Sequence, residues 1–151
     1  MSTKEVWARA LSHVGNGVVI LDEAEIIQLI GPKALTLFGC DAHSIGEGSN
    51  LGEFLTCIGR QVGWSEERIA NVHDNHRKWK STGEAMEIFH HFDDGMIIRI
   101  SYFPSRGNGA VLTYDDVTIE RRLARMVEAR EAEADLFHEQ VQSTISSVAD
   151  A

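Results

Sequence analysis

Two histidines stand three residues apart in NVHDNHRKWKSTG, the stretch from Asn71 to Gly83. A neutral imidazole can bind a metal or hold a hydrogen bond in an apolar site, so His73 and His76 are the first candidates for chemistry. Their spacing can place both on one side of a helix. Zinc would need a third and fourth ligand, and no Cys, His or Asp stands nearby at ligand spacing. His90 and His91 lie in EAMEIFHHF, where alternation puts them on opposite faces of a strand. His90 shares the face of Met86 and Ile88, and His91 points to solvent. Cys40 and Cys57 form no CxxC or other metal spacing, which fits a reduced cytoplasmic compartment. Ser, His and Asp occur without a G-x-S-x-G, P-loop or HExxH frame, so no enzyme is expected. The acid pairs Asp93-Asp94 and Asp115-Asp116 suit turn and cap chemistry.

The elements that must position these residues follow from pattern and punctuation. GVVILD (Gly17 to Asp22) and IIQLI (Ile26 to Ile30) are β-rich runs joined by the polar turn Glu23-Ala24-Glu25. Pro32 opens a short helix, PKALTLF, that stops at Gly39. From Asp41 to Gly63 the glycines predict an irregular segment, with short helical turns such as Leu51 to Ile58. Ser65, followed by Glu66 and Glu67, caps a helix running to about Lys80. Ile69, Val72 and Trp79 define its apolar side at about 100° per residue. His76 falls roughly 30° from their mean direction and His73 roughly 90° away. Helical phase therefore turns His76 inward. EAMEIFHHF, the turn Asp93-Asp94-Gly95, GMIIRISYF, a second turn at 105–109 and AVLTYDD then predict three antiparallel strands. The fold class is α+β, a five-stranded antiparallel sheet with helices on one face.

From Ile119 to Ala151 there is no Gly or Pro, and Glu, Ala and Arg dominate. This predicts one long coiled-coil helix. Leu123, Val127, Ala134, Phe137, Val141 and Val148 fall on one 4-3 repeat, interrupted by Arg130 and Thr144. Such a seam needs a helical partner, a second copy of the chain, unless the helix folds back on its own domain. The domains are then 1–118, with a cap helix at about 3–14, and 119–151. A net charge of −9 and a pI of about 5.2 argue against a nucleic-acid partner. No apolar run approaches the ~20 residues of a membrane span, and MSTKEVWARA has no signal-peptide core, so no membrane association is expected.

Three stretches together resemble the PAS sensor domain: GVVILD, GPKALTLFG (Gly31 to Gly39) and FDDGMIIRISYFPSRGNGAVLTYDDVT (Phe92 to Thr118). Gly31 stands where the family often has Asn. The resemblance implies a PAS fold with a pocket between helices and sheet. Its candidate lining is His73, His76, His90, Trp79 and Ile88. Some PAS domains bind b-type heme through a histidine on the helix before the third strand, at the start of a His-Asp pair shortly before a Thr-rich turn. His73-Asp74, ahead of Ser81-Thr82-Gly83, is similar. The resemblance thus selects His73 as a heme ligand, whereas helical phase selects His76. Asp116, Val117 and Thr118 match the family's closing Asp-Val-Thr, a junction that would pass a distortion of the sheet into the helix. FHEQVQSTISSVADA (Phe137 to Ala151) resembles the start of the signalling coil of methyl-accepting chemotaxis proteins. His138-Glu139 leaves a sensor-kinase module as an alternative, and a ligand-free dimerisation domain is another. The expected role is a cytoplasmic sensory input domain, homodimeric through its last helix, acting on chemotaxis signalling proteins.

Overall fold

The computed structural model describes residues 2–12, 15–107 and 109–149. The chain divides into two compact units, Met1–Asp116 and Val117–Ala151. The first unit begins with helix α1 (Thr3–Ser12) and strands β1 (Gly17–Leu21) and β2 (Ile27–Ile30). Helices α2 (Pro32–Thr36), α3 (Leu51–Val62) and α4 (Glu66–Thr82) follow, and strands β3 (Met86–His91), β4 (Ile97–Pro104) and β5 (Ala110–Asp116) close the unit. The end of the predicted cap helix, His13 and Val14, lies outside the described residues.

The five strands form one antiparallel sheet in the order β2-β1-β5-β4-β3. β5 sits at its centre, pairing Leu112 with Val19 on one side and Tyr114 with Ile100 on the other. Alternation along β5 sends Ala110, Leu112 and Tyr114 to the buried face. The core gathers there with Phe38, Phe54, Leu55 and Ile58. Phe38, Phe54 and Tyr114 meet edge to face at centroid distances of 5.5–6.4 Å, the arrangement favoured by ring quadrupoles. The predicted hairpin turn is present: Gly95 takes a φ of 92°, and Asp94 Oδ1 accepts from Met96 N at 2.9 Å.

Close approach explains two glycines. A Cβ on Gly17 would lie 2.8 Å from Ala34 Cα, so only a glycine lets β1 pass this near α2. A Cβ on Gly59 would lie 2.4 Å from Ile69 Cγ1, where α4 crosses α3.

Here the structure corrects an expectation. The segment foreseen as irregular carries a twelve-residue helix, α3. Its glycines serve packing, and its start is fixed by a capping box. Asn50 Oδ1 accepts from Glu53 N (2.8 Å), and Asn50 N donates to Glu53 Oε2 (3.2 Å). Gly63, at φ 81°, ends it.

The second unit is a single helix, α5 (Thr118–Ala149). Arg121 N donates to Val117 O at 2.9 Å in its first turn. The predicted seam residues Leu123, Val127, Phe137, Val141 and Val148 are all solvent-exposed. No described helix is long and apolar enough to cross a membrane.

Candidate ligand-binding site

A cavity of about 70 Å³ lies between α3, α4 and the inner face of the sheet. On this scale one water occupies roughly 10–15 Å³, so the space equals roughly five waters. Its walls are largely aromatic. Trp64 and Phe92 stack at 5.8 Å with their planes 3° apart, and His90 packs against Phe92 at 4.5 Å. His76 contacts Trp79 at 4.5 Å. The Arg68 guanidinium lies 5.2 Å from the centroid of the Trp64 ring, within cation–π range.

Three enclosed polar atoms of lining residues have no hydrogen-bond partner among the described residues: His76 Nε2, His90 Nε2 and Tyr114 Oη. Leaving such an atom unpaired costs about 1–3 kcal/mol, a cost this part of the core carries three times. His76 is 4% exposed and Tyr114 1%. His76 Nδ1 lies 2.8 Å from Val72 O. A carbonyl only accepts, so Nδ1 carries the proton and Nε2 of the neutral ring presents a lone pair. Burial pushes His76 below the ordinary histidine value. The Val72 bond opposes that shift, His73 adds to it, and Glu25 opposes it. Burial likewise lowers His90, helped by Arg68 and His91 and opposed by Asp93. Burial raises Tyr114, so its hydroxyl keeps its proton.

Of the five predicted lining residues, the structure brings His76, His90, Trp79 and Ile88 together on this cavity. It does not bring His73. That side chain faces a separate open groove between α3 and α4, which also holds Cys57 and Arg60. His73 Cε1 sits 3.1 Å from where a Gly52 Cβ would be, and His73 Nε2 lies 3.7 Å from Glu25 Oε2. Glu25 itself has a φ of 64°, rare for a residue with a side chain. Lys80 Nζ donates to Glu23 O, so α4 holds this β1–β2 turn at two points.

The two histidines weighed for heme stand in different places: His73, which the resemblance selected, lines the open groove of about 680 Å³, and His76, which helical phase selected, lines the smaller cavity. No group of three or more metal-ligating side chains occurs among the described residues.

Sequence reasoning missed Tyr114, Trp64 and Phe92 as lining residues. Alternation in AVLTYDD could have found Tyr114, which shares a face with Ala110 and Leu112. Trp64 sits in the turn between α3 and α4, where no periodicity marks it. At the predicted junction, Asp116 ends β5 and Thr118 opens α5, leaving Val117 as the only residue between the two elements.

The sheet order, the cavity and the junction bear on kinship. A family profile described as the PAS fold matches residues 11–125. No curated protein matches the chain. Among solved structures, the chain is similar to the PAS domain of BvgS from Bordetella pertussis, at 15% identity over 85% of this chain and 96% of that one, with a TM-score of 0.59. It is also similar to phage VqmA, solved as a complex with DPO, at 15% identity over 83% of this chain and 58% of that one, with a TM-score of 0.54. At such identities the likeness speaks for the fold alone. The profile match spans most of the chain, which therefore belongs to the PAS family as a PAS sensory domain.

Proposed function

We propose that this domain senses a small molecule in its aromatic cavity and reports occupancy through a pair of α5 helices to a chemotaxis signalling coil. One observation carries the reading. Tyr114, one of the residues that line the cavity, belongs to the strand that ends at Asp116, with Val117 leading into α5. A ligand that engages Tyr114 acts on the central strand two residues before its end at Asp116. Switching requires that the ligand favour one of two states by its differential affinity.

The pairing of α5 is supported by its exposed 4-3 seam, which a second copy would bury. The chemotaxis output is supported by the resemblance of 137–151 to the start of such a coil. With no catalytic frame in the sequence, the domain acts by binding rather than by turnover.

Cysteine cross-linking tests the helix pair in a Cys40→Ala, Cys57→Ala background. Leu123→Cys and Phe137→Cys, on the seam, should cross-link far faster than Glu139→Cys, on the opposite side. Equal rates at all three positions would remove the coiled-coil reading. Joining the chain to a chemoreceptor coil or to a kinase dimerisation helix then separates the two outputs. Ligand-dependent activity only in the kinase fusion would favour a sensor-kinase module.

A further inference from the structure

α5 runs unbroken from Thr118 to Ala149, and its apolar residues repeat in elevens as well as in sevens. Leu123, Ala134 and Ile145 stand eleven residues apart, and so do Met126, Phe137 and Val148. Ile119 and Val141 form a third column, with Arg130 at its middle. The columns lie side by side on a helix, because eleven residues make close to three turns. The seven-residue seam puts Arg130 and Thr144 at its centre and leaves Ile119, Met126 and Ile145 beside it. The eleven-residue seam keeps only Arg130 of that polar pair and takes all three apolar residues in. Those three are 74%, 54% and 56% exposed, as open as the residues of the shorter repeat. The longer repeat therefore gathers more of the exposed apolar surface with fewer polar breaks. One polar residue at such a position fixes register at some cost in stability, the part left to Arg130.

The length of the seam selects its partner. From Ile119 to Val148 it spans roughly 45 Å at 1.5 Å per residue. The longest other helix among the described residues, α4, has 17 residues and spans roughly 25 Å. None of the other described helices is long enough to cover the seam. A partner must also keep the same period. On a straight helix a seven-residue stripe drifts by roughly 20° per repeat in one sense, and an eleven-residue stripe winds in the other. Helices of unlike period therefore part within a few turns, whereas two copies of α5 stay in contact throughout. Because both copies would lead into one signalling coil, the pair is parallel.

We infer that two copies of α5 pair in parallel through this eleven-residue seam, as a nearly straight coil with a slight right-handed wind. The inference rests on the helix pairing proposed above and names its interface. Ile119, Met126 and Ile145 lie inside, and Val127 and Thr144 stand at the edge. It also moves the start of the pair. A seam that begins at Ile119 engages the first turn of α5, ahead of Leu123.

Neighbouring positions exchange roles between the two registers, and cysteine cross-linking of the full 151-residue chain reads the exchange. In the Cys40→Ala, Cys57→Ala background, Met126→Cys should cross-link severalfold faster than Val127→Cys. Ile145→Cys should likewise outpace Thr144→Cys. Equal or reversed rates within either pair overturn the inference. With Leu123→Cys and Phe137→Cys still fast, that failure leaves the helix pairing of the proposed function standing. Fast linkage at Phe137→Cys alone would mean an antiparallel pair and would overturn the inference too. Equal rates at Leu123→Cys, Phe137→Cys and Glu139→Cys remove the pairing itself, and the inference with it. Sedimentation velocity gives a second reading at solvent-exposed positions. Met126→Glu with Ile145→Glu should weaken self-association about a hundredfold or more, and Val127→Glu with Thr144→Glu less than about tenfold. A loss in the second variant as large as in the first overturns the eleven-residue register.

Discussion

The two units of this chain are incomplete in opposite senses. The first closes its apolar residues into a core yet leaves polar atoms of His76, His90 and Tyr114 unpartnered inside it. The second satisfies its backbone as a helix yet leaves Leu123, Val127, Phe137 and Val141 in solvent. One unit lacks polar company and the other lacks apolar company. Apolar substitution would relieve the first, and a second helix, as proposed above, would relieve the second. A core built only for stability would not retain three unsatisfied groups, because replacing them with apolar ones costs little or nothing.

The contrast can be broken by substitution. Phe54→Ala, at a fully buried position, should destabilise the first unit by about 3–5 kcal/mol. Urea unfolding should show it, and a loss below about 1 kcal/mol would mean that the core is not where it is placed here. Phe137→Glu with Val141→Glu should weaken self-association by about two orders of magnitude or more, since each buried apolar side chain contributes about 1.5–3 kcal/mol. Sedimentation velocity should then find monomers whose first unit unfolds at an unchanged urea concentration. Dimers that persist would mean that the seam is not the interface.

Gly59→Ala is the sharper test inside the first unit. Overpacking against Ile69 costs about 1–3 kcal/mol, and better helix propensity returns up to about 1 kcal/mol. A net loss of about 1 kcal/mol is expected in urea unfolding, and a gain would deny the close crossing. The smallest effect is a slope with pH. Burial lowers both His76 and His90. Below the unfolded value of about 6.5 the unfolded chain therefore holds more protons than the folded one. Stability should fall as pH drops through this window and level off below the folded values. His73 and Glu25 face His76 and pull in opposite directions. Urea midpoints between pH 7.5 and 5.5 should change less in the His76→Phe, His90→Phe double variant than in the parent. Equal slopes would show that other groups dominate.

Much of the fold was legible because its signals are local. Alternation in AVLTYDD, the Asp-Gly turn after Phe92 and Ser65 ahead of two glutamates each mark an element within a few residues, and all three elements are present. α3 was legible only in part: turns at Leu51 to Ile58 were expected, but not one helix through to Val62, because Gly52 and Gly59 look like breaks until the partner they admit is known. Their reason lies on α4, at His73 and Ile69. The candidate site shows the same divide. Helical phase, which is local, turns His76 inward, and the structure places it on the cavity wall. A short motif likeness selected His73, but motif position carries no information about which way a side chain points. Trp64 reaches the cavity from a turn, where neither alternation nor helical phase applies.

Gly59 touches nothing in the cavity, yet it acts as a gauge for it. Leu55 and Ile58 on α3, and Val72, His76 and Trp79 on α4, form facing parts of the wall. The width between them is set where the two helices cross, at the hydrogen atom Gly59 has in place of a side chain. Adding one carbon there would press on Ile69 Cγ1 at 2.4 Å and on the Trp64 ring, whose Cε3 would lie 3.2 Å away. Trp64 belongs to the wall, so that pressure would reach the chamber through its ring. Position 59 is thus a dial for the space, set one residue behind its wall.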